Sequence, residues 1–306
     1  MTKVVAVGSI NVDLCCYLDR WPEVHETVHA ADFKQFLGGK GANQAAAAAR
    51  LGADVTFIGA VGEAAYSDFA KDTLAAENMS LKLVEFPDEP TGMAFIDIAP
   101  NSDNMIRLVG GANAALSPSD IEAREEAFKK ASVLLLQNEV PLSVSTTAAQ
   151  LARKHGALVV MDPAPSPPEP WSAHVIGAFD IFTPNAVEAA LYCGFVPETP
   201  ETGREAAANI TELFGCSAIV TMGGGGVAWF HEGADGWMGV PEVEPLDTVG
   251  AGDCFNGALA TALVEDKNWS EALTFAVHAA SISTTRRGAM NALPRRAEVQ
   301  NQFDST

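Results

Sequence analysis

The chain is short of positive charge. Lysine and arginine number 19 against 39 aspartates and glutamates, a formal net charge of −20. Such a surface repels nucleic-acid phosphates and anionic lipid, so neither is an expected partner. It repels a nucleotide at long range too, so any nucleotide site has to be made locally from metal ions, helix N-termini and a few basic side chains. Cysteine is scarce as well. Cys15, Cys16, Cys193, Cys216 and Cys254 show no metal-binding or redox spacing, and one is left over however they pair; this usage suits a reducing cytoplasm. The six histidines carry no HExxH or other ligand spacing. No apolar run approaches the roughly 20 residues of a spanning helix, and the opening MTKVVAVGSI is too short in its apolar run for a signal peptide. No repeat with a period of about 20–50 residues is present.

What is there is an alternation. The 306 residues are 48% apolar and 19% charged, the balance of a globular chain with a sizeable core. Short apolar runs at Val4–Ile10, Val55–Ala60, Ser132–Leu136, Leu158–Met161, Ile181–Thr183 and Ala218–Met222 read as buried strands. Helical patterns separate them, such as Gly41–Leu51 closed by Gly52, and a helix opened by Ser117 as N-cap with Pro118 behind it. Strands apolar on both faces with helices between them predict a mostly parallel sheet covered on both sides. Residues 14–37 and 92–110 break the rhythm with β patterns and no helix, and 91–98 with 105–109 reads as a hairpin across Asn101–Asn104. These two inserts predict a small β layer, a lid on the sheet edge. The proline-rich tract Pro163–Pro170 reads as a rigid surface loop.

Five segments have the composition of ligand sites. Gly250-Ala251-Gly252-Asp253 precedes a predicted helix over Phe255–Val264. Small residues let the backbone approach a ligand, and the helix start offers free N–H groups to an anion. Asp253 makes sense as a base beside that anion; alone, the turn reads equally as an acidic helix cap. Gly38-Gly39-Lys40-Gly41-Ala42-Asn43 brings a cation and an amide to another helix start. It is not a Walker loop, because no Ser or Thr follows Lys40. Gly8-Ser9-Ile10-Asn11-Val12-Asp13 follows the first strand, at the edge where α/β sheets bind ligands, and Asn11 and Asp13 suit sugar hydroxyls or ordinary turn chemistry. Met222 and Gly223–Gly226 allow backbone approach to phosphate or adenine, or form a flexible hairpin. Asn185 and Glu188 share one face at a helix start, placed to orient hydrated Mg²⁺ or to cap the helix.

In this order, the segments resemble the phosphofructokinase-B (ribokinase-like) family, from about Val4 to Pro294. Two family signatures carry the resemblance: Gly38 to Gln44, and Asp247-Thr-Val-Gly-Ala-Gly-Asp253. The segments Gly111–Ser117 and Gln137–Pro141 add to it. The resemblance implies a ribokinase-like three-layer α/β/α sandwich, a single domain over 1–306, with a small β-sheet lid and a homodimer through it. It implies an ATP-dependent sugar kinase acting most simply on D-ribose to give ribose 5-phosphate. Other acceptors stay open: deoxyribose, another pentose, a ketohexose or a nucleoside, with Cys15, Cys16, Met93, Phe95 and Asp97 shaping the fit. A non-catalytic sugar- or nucleotide-binding protein is the alternative of another class.

By the same resemblance, Asn11, Asp13, Gly39, Lys40, Asn43 and Glu139 would hold the sugar. Asn185, Thr221, Gly223, Gly224, Gly225, Gly226, Gly252 and His278 would serve ATP, and Glu188 its Mg²⁺ through water. Gly250, Ala251 and Gly252 would form the anion hole and Asp253 would take the proton. A monovalent cation, K⁺, would sit on Asp247, Val249, Ser283, Arg286 and Gly288, mostly through main-chain oxygen. Ala292 stands where the family commonly has a serine hydroxyl.

Overall fold

The computed structural model describes residues 3–63, 65–99 and 103–303. Its central sheet runs, edge to edge, β15 (Ala234–Met238), β14 (Val227–His231), β13 (Ser217–Thr221), β12 (Ile181–Phe182), β11 (Leu158–Asp162), β10 (Ala131–Gln137), β1 (Lys3–Val7), β4 (Asp54–Ile58) and β6 (Ser80–Leu81). The strands from β6 to β13 pair in parallel, and β14 and β15 add an antiparallel edge. β1 shows how the sequence makes a two-faced sheet. Val4 and Ala6 enter the apolar cluster under helices Lys40–Arg50, Ala251–Val264 and Trp269–Ser283. Val5 and Val7 enter the cluster under Leu142–Lys154 and Pro200–Phe214. Period-two alternation sends successive side chains to opposite faces, and both faces are covered.

The alanines of Lys40–Arg50 let that helix lie close to Ala251–Val264. Ala42, Ala45, Ala46, Ala47 and Ala48 are fully buried. A Cβ on Gly257 would fall 2.5 Å from the Ala47 Cβ and 2.6 Å from the Gln44 carbonyl oxygen. Gly257 therefore sets how near the two helices come. Overpacking of this kind costs about 1–3 kcal/mol, and here it would also part the two segments that carry the site.

The lid is a second sheet, β3 (Asp32–Gly38), β2 (Asn11–Tyr17), β8 (Gly92–Ile98) and β9 (Asn104–Val109), in that order. Of the turn expected at 101–104, Asn101 and Ser102 lie outside the described residues. A third, two-stranded sheet joins β5 (Ala60–Glu63) to β7 (Val84–Pro90). The first strand ends earlier than its apolar run, at Val7, because Gly8 and Gly41 meet there. A Cβ on Gly41 would lie 2.5 Å from the Gly8 carbonyl carbon, so neither position tolerates a side chain. Among the described residues no helix is long and apolar enough to cross a membrane.

Candidate active site

Asp253 lies in the first turn of Ala251–Val264, not in a loop before it. The helix starts four residues earlier than its apolar pattern because Gly250, at φ 76°, takes the left-handed conformation that begins it. Asp253 is 4% exposed. Its Oδ2 accepts from Asn43 Nδ2 at 2.9 Å and its Oδ1 from Gln44 Nε2 at 3.2 Å. The two glycine-rich segments, some 210 residues apart, thus meet at this carboxylate. Of the three positions expected to form an anion hole, Ala251 turns its N–H back to the Thr248 carbonyl at 3.2 Å. The Asn256 side chain steadies the turn, donating to the Gly252 carbonyl at 3.1 Å and accepting from Thr183 Oγ1 at 2.9 Å.

On one side of Asp253 are the residues expected to hold a sugar. Glu139, after β10, accepts from the Ser9 hydroxyl and from the Lys40 N–H at 3.0 Å. Asn11 is fixed by Asn113, which donates to Asn11 Oδ1 at 2.9 Å and also bonds both backbone groups of Ile10. Gly39, at φ 91°, leads the chain past Asn11, whose N–H a Cβ there would meet at 2.7 Å. Asp13 sits over Gly38. Burial, then Glu139 and Asp253, push its carboxyl up to about 7.

On the other side opens a cleft of about 740 Å³ lined by Lys40, Asp162, Asn185, Glu188, Thr221, Gly223, Gly224, Gly226, Thr248 and Gly250 to Asp253, among others. Lys40 and Asp253 thus border both groups. Burial works against the Lys40 ammonium, but Asp253, Asp162, Glu139 and Glu188 outweigh it and hold it above the usual lysine range. Asn185 and Glu188 do cap their helix: Asn185 Oδ1 accepts from Val187 and Glu188 N–H, both at 2.9 Å, and Glu188 Oε2 accepts from Asn185 N–H at 2.9 Å. Both still line the cleft, and burial raises the Glu188 carboxyl. Asn185 also bridges to Thr221, which sets the strand end beside the glycine turn.

Two residues expected to contact the nucleotide do not line this cleft. Gly225 is not among the residues lining the cleft, and neither is His278; Val277, Ala280, Ser281 and Thr284 line it from that helix. The expected cation residues gather where Asp247 ties two loops, its Oδ1 accepting from Val249 N–H at 3.0 Å and its Oδ2 from Gly288 N–H at 2.8 Å. Ser283 Oγ donates to the Ala280 carbonyl at 2.7 Å, and Arg286 pairs with Glu298. Ala292 is fully buried and brings no oxygen on its side chain.

The lid residues expected to shape one pocket divide between two faces. Asp13 pairs with Ala94 and Cys15 with Ile96, so Cys15 shares Asp13's face while Cys16, Met93, Phe95 and Asp97 take the other. Sequence reasoning passed over Asp162, and it gave no role to Gln137 and Asn113, which stand in the segments Gln137–Pro141 and Gly111–Ser117. Asp162 directly follows a predicted strand, at the carboxyl edge where ligands bind, and that position was its one signal.

The profile of the pfkB family carbohydrate kinases matches residues 1–296. A ribokinase of Haemophilus influenzae is 37% identical over 300 residues, 97% of each chain. A deoxyribokinase of Salmonella typhi is 34% identical over 292 residues, 95% of each. The structure of an Arabidopsis thaliana ribokinase complexed with ribose and ATP superposes with a TM-score of 0.91 at 32% identity, covering 98% of each chain.

Proposed function

The chain belongs to the pfkB family of carbohydrate kinases, and we propose that it transfers the γ-phosphoryl group of ATP to the 5-hydroxyl of D-ribose. The observation that carries the reading is the Asp253 carboxylate, held by amides of the Gly-Gly-Lys-Gly-Ala-Asn-Gln segment between a polar cluster and a large cleft. In this reading Asn11, Asp13, Gly39, Lys40, Asn43 and Glu139 orient the sugar. The hydroxyl oxygen forms its bond to the γ-phosphorus, the bond from that phosphorus to the bridging oxygen breaks, ADP leaves, and the hydroxyl proton passes to Asp253. A carboxylate is a weak base, which suffices when the proton leaves late in a loose transition state. The helix N-terminus beyond Gly250 would face the developing charge with the N–H groups that follow Ala251.

Among the described residues no three His, Cys, Asp or Glu side chains are placed to hold a metal ion by themselves. That fits Mg²⁺ arriving with the nucleotide, which keeps several waters and takes one or two carboxylates. Glu188, with one oxygen spent on its helix cap, would hold it through water, and the ion would neutralise charge on the phosphates. For K⁺, the Asp247 carboxylate and the main-chain oxygens at Val249, Ser283, Arg286 and Gly288 supply a hard-oxygen set, short of one ligand at Ala292. Asn185, Thr221, the Gly223–Gly226 turn and the Val277–His278 stretch would serve the nucleotide.

We further propose one domain over 1–306, a cytoplasmic home consistent with five free cysteines, and a homodimer through the lid. Phe33, Phe95, Met105 and Val109 are large, apolar and exposed on the face of that sheet opposite Asp13. Such grouping marks an interaction surface. The test of function is ADP release with ATP and a panel of ribose, deoxyribose, other pentoses, ketohexoses and nucleosides, with and without potassium. Ribose should give the highest kcat/KM. Higher kcat/KM for another acceptor sinks the ribose reading, and sugar and ATP binding without ADP release sinks catalysis.

A further inference from the structure

The base is held by a residue that has no role in the reaction as written. Gln44 Nε2 lies 3.2 Å from Asp253 Oδ1 and 2.8 Å from Asp162 Oδ2. A primary amide nitrogen has two hydrogens, so one can go to each carboxyl group. The Gln44 oxygen points the other way and accepts from Gln137 Nε2 at 2.7 Å. All four residues are buried. A flipped Gln44 amide would turn its oxygen to two carboxyls and its donors to a donor, so one orientation is enforced. Asp162 is in turn fixed by the Ala164 N–H, which its Oδ1 accepts at 3.1 Å.

We infer that Gln44 is a positioning residue for the base, oriented from behind by Gln137 and anchored at its side by Asp162. This rests on the reading of Asp253 as the base. The chain of contacts runs Gln137, Gln44, then Asp162 and Asp253 together. With Asn43 on the other oxygen, it leaves the Asp253 carboxylate little freedom to rotate and one free acceptor site per oxygen for a substrate hydroxyl. A donor on a carboxylate also favours its ionised form. The other charged groups facing Asp253 are Lys40 from its own helix start, Asp13 from β2, Glu139 from the end of β10, Asp162 from β11 and Glu188 from the Ala186–Cys193 helix. Of these only Asp162 also bonds Gln44, and the Asp162 variants control for that route, so the acid limb of kcat reports on this contact.

The experiment compares kcat–pH profiles of wild type, Gln44→Met, Asp162→Leu and Asp162→Asn. Gln44→Met keeps the volume and removes the amide. It should lower kcat about 10- to 100-fold, the worth of a hydrogen bond to a charged group, and move the acid limb to higher pH. KM for sugar and for ATP should stay within about threefold, since neither is bound by Gln44. Asp162→Leu should also lower kcat, and Asp162→Asn, which retains an oxygen for Gln44, should recover most of that loss. Should Gln44→Met fail to fold, Gln137→Met takes its place, with a smaller fall and the limb displaced the same way. A folded Gln44→Met with an unmoved limb and kcat within about twofold overturns the inference alone. Absence of ADP release in the wild type overturns the phosphotransfer reading, and this inference with it.

Discussion

Replacing Asp253 by asparagine keeps the shape of the side chain and removes the charge. The carboxylate accepts from Asn43 Nδ2 at 2.9 Å and Gln44 Nε2 at 3.2 Å, one donor on each oxygen. An asparagine has one oxygen, so whichever way it turns, its NH₂ faces one of those donors. An unmet buried donor costs about 1–3 kcal/mol. Part of this is offset, because the change removes one of several crowded carboxyls, so Asp253→Asn should fold. The rate is another matter. A positioned base that acts alone contributes about 10²–10⁴-fold, which at 1.36 kcal/mol per decade is about 2.7–5.5 kcal/mol of barrier. The assay is ribose-dependent ADP release at saturating ATP, checked by single turnover so that slow product release in the wild type cannot hide the loss. ATP affinity should hold or tighten, since a negative charge leaves the neighbourhood of the triphosphate. A kcat within tenfold of wild type would refute Asp253 as the base.

Three shorter expectations follow from other parts of the molecule. Asp13 has its carboxyl raised from 3.8 to about 7 by burial, Glu139 and Asp253, so the folded protein holds this proton between about pH 4 and 7 where the unfolded chain releases it. Its contribution to stability is therefore lost as pH rises through that window, by up to about 4 kcal/mol, and Asp13→Asn should gain on wild type at pH 8 compared with pH 4 in urea melts; equal gains at both would refute the coupling. Ala292→Ser restores a hydroxyl beside the Asp247–Gly288 loops and should lower the potassium concentration for half-activation, whereas an unchanged value removes position 292 from any cation site. Met105→Asp with Val109→Asp, both exposed on one face of strand β9, should shift sedimentation from dimer to monomer at micromolar protein, and a monomeric wild type would remove the lid interface.

The sequence carried the strands, the starts of helices such as Lys40–Arg50 and Pro118–Glu122, and the two inserts, because each is a local pattern of apolar period, cap or glycine. It was less able to carry phase. On Trp269–Ser283 and just past it, the cleft is lined by Val277, Ala280, Ser281 and Thr284, the i, i+3, i+4 and i+7 positions of one helix face. His278 lies about 100° round from that face, and nothing local in an alanine-rich helix distinguishes the two phases. Parity in the lid is the same difficulty at period two: Met93, Phe95 and Asp97 fall on the face opposite Asp13 because Ala94 is its partner, and pairing register is a long-range fact. Gln44 was visible within its motif, but its task depends on Asp162 and Asp253, 118 and 209 residues away. The early start of the Asp253 helix follows from one left-handed glycine, Gly250, that its apolar pattern does not mark.

The acidic composition and the anionic substrate are reconciled at the site itself. Asp162 is buried in the wall of the cleft, and burial raises its carboxyl to about 8, with Lys40 opposing and Asp253 and Glu188 adding to the rise. Asp13 reaches about 7, and Glu188 is raised by burial. Toward neutrality Asp162 and Asp13 therefore hold their protons longer than ordinary carboxyls do, while Lys40 keeps its charge. The cleft then carries less negative charge than its residue list implies. A triphosphate entering beside these groups would raise their pKa values further, so part of its repulsion is relieved by proton uptake. A divalent cation would act in the opposite sense and favour the ionised Glu188 that is proposed to meet it. The same carboxyls that make the chain acidic thus adjust their charge to the ligand, and one lysine, held among them, suffices as the fixed cation.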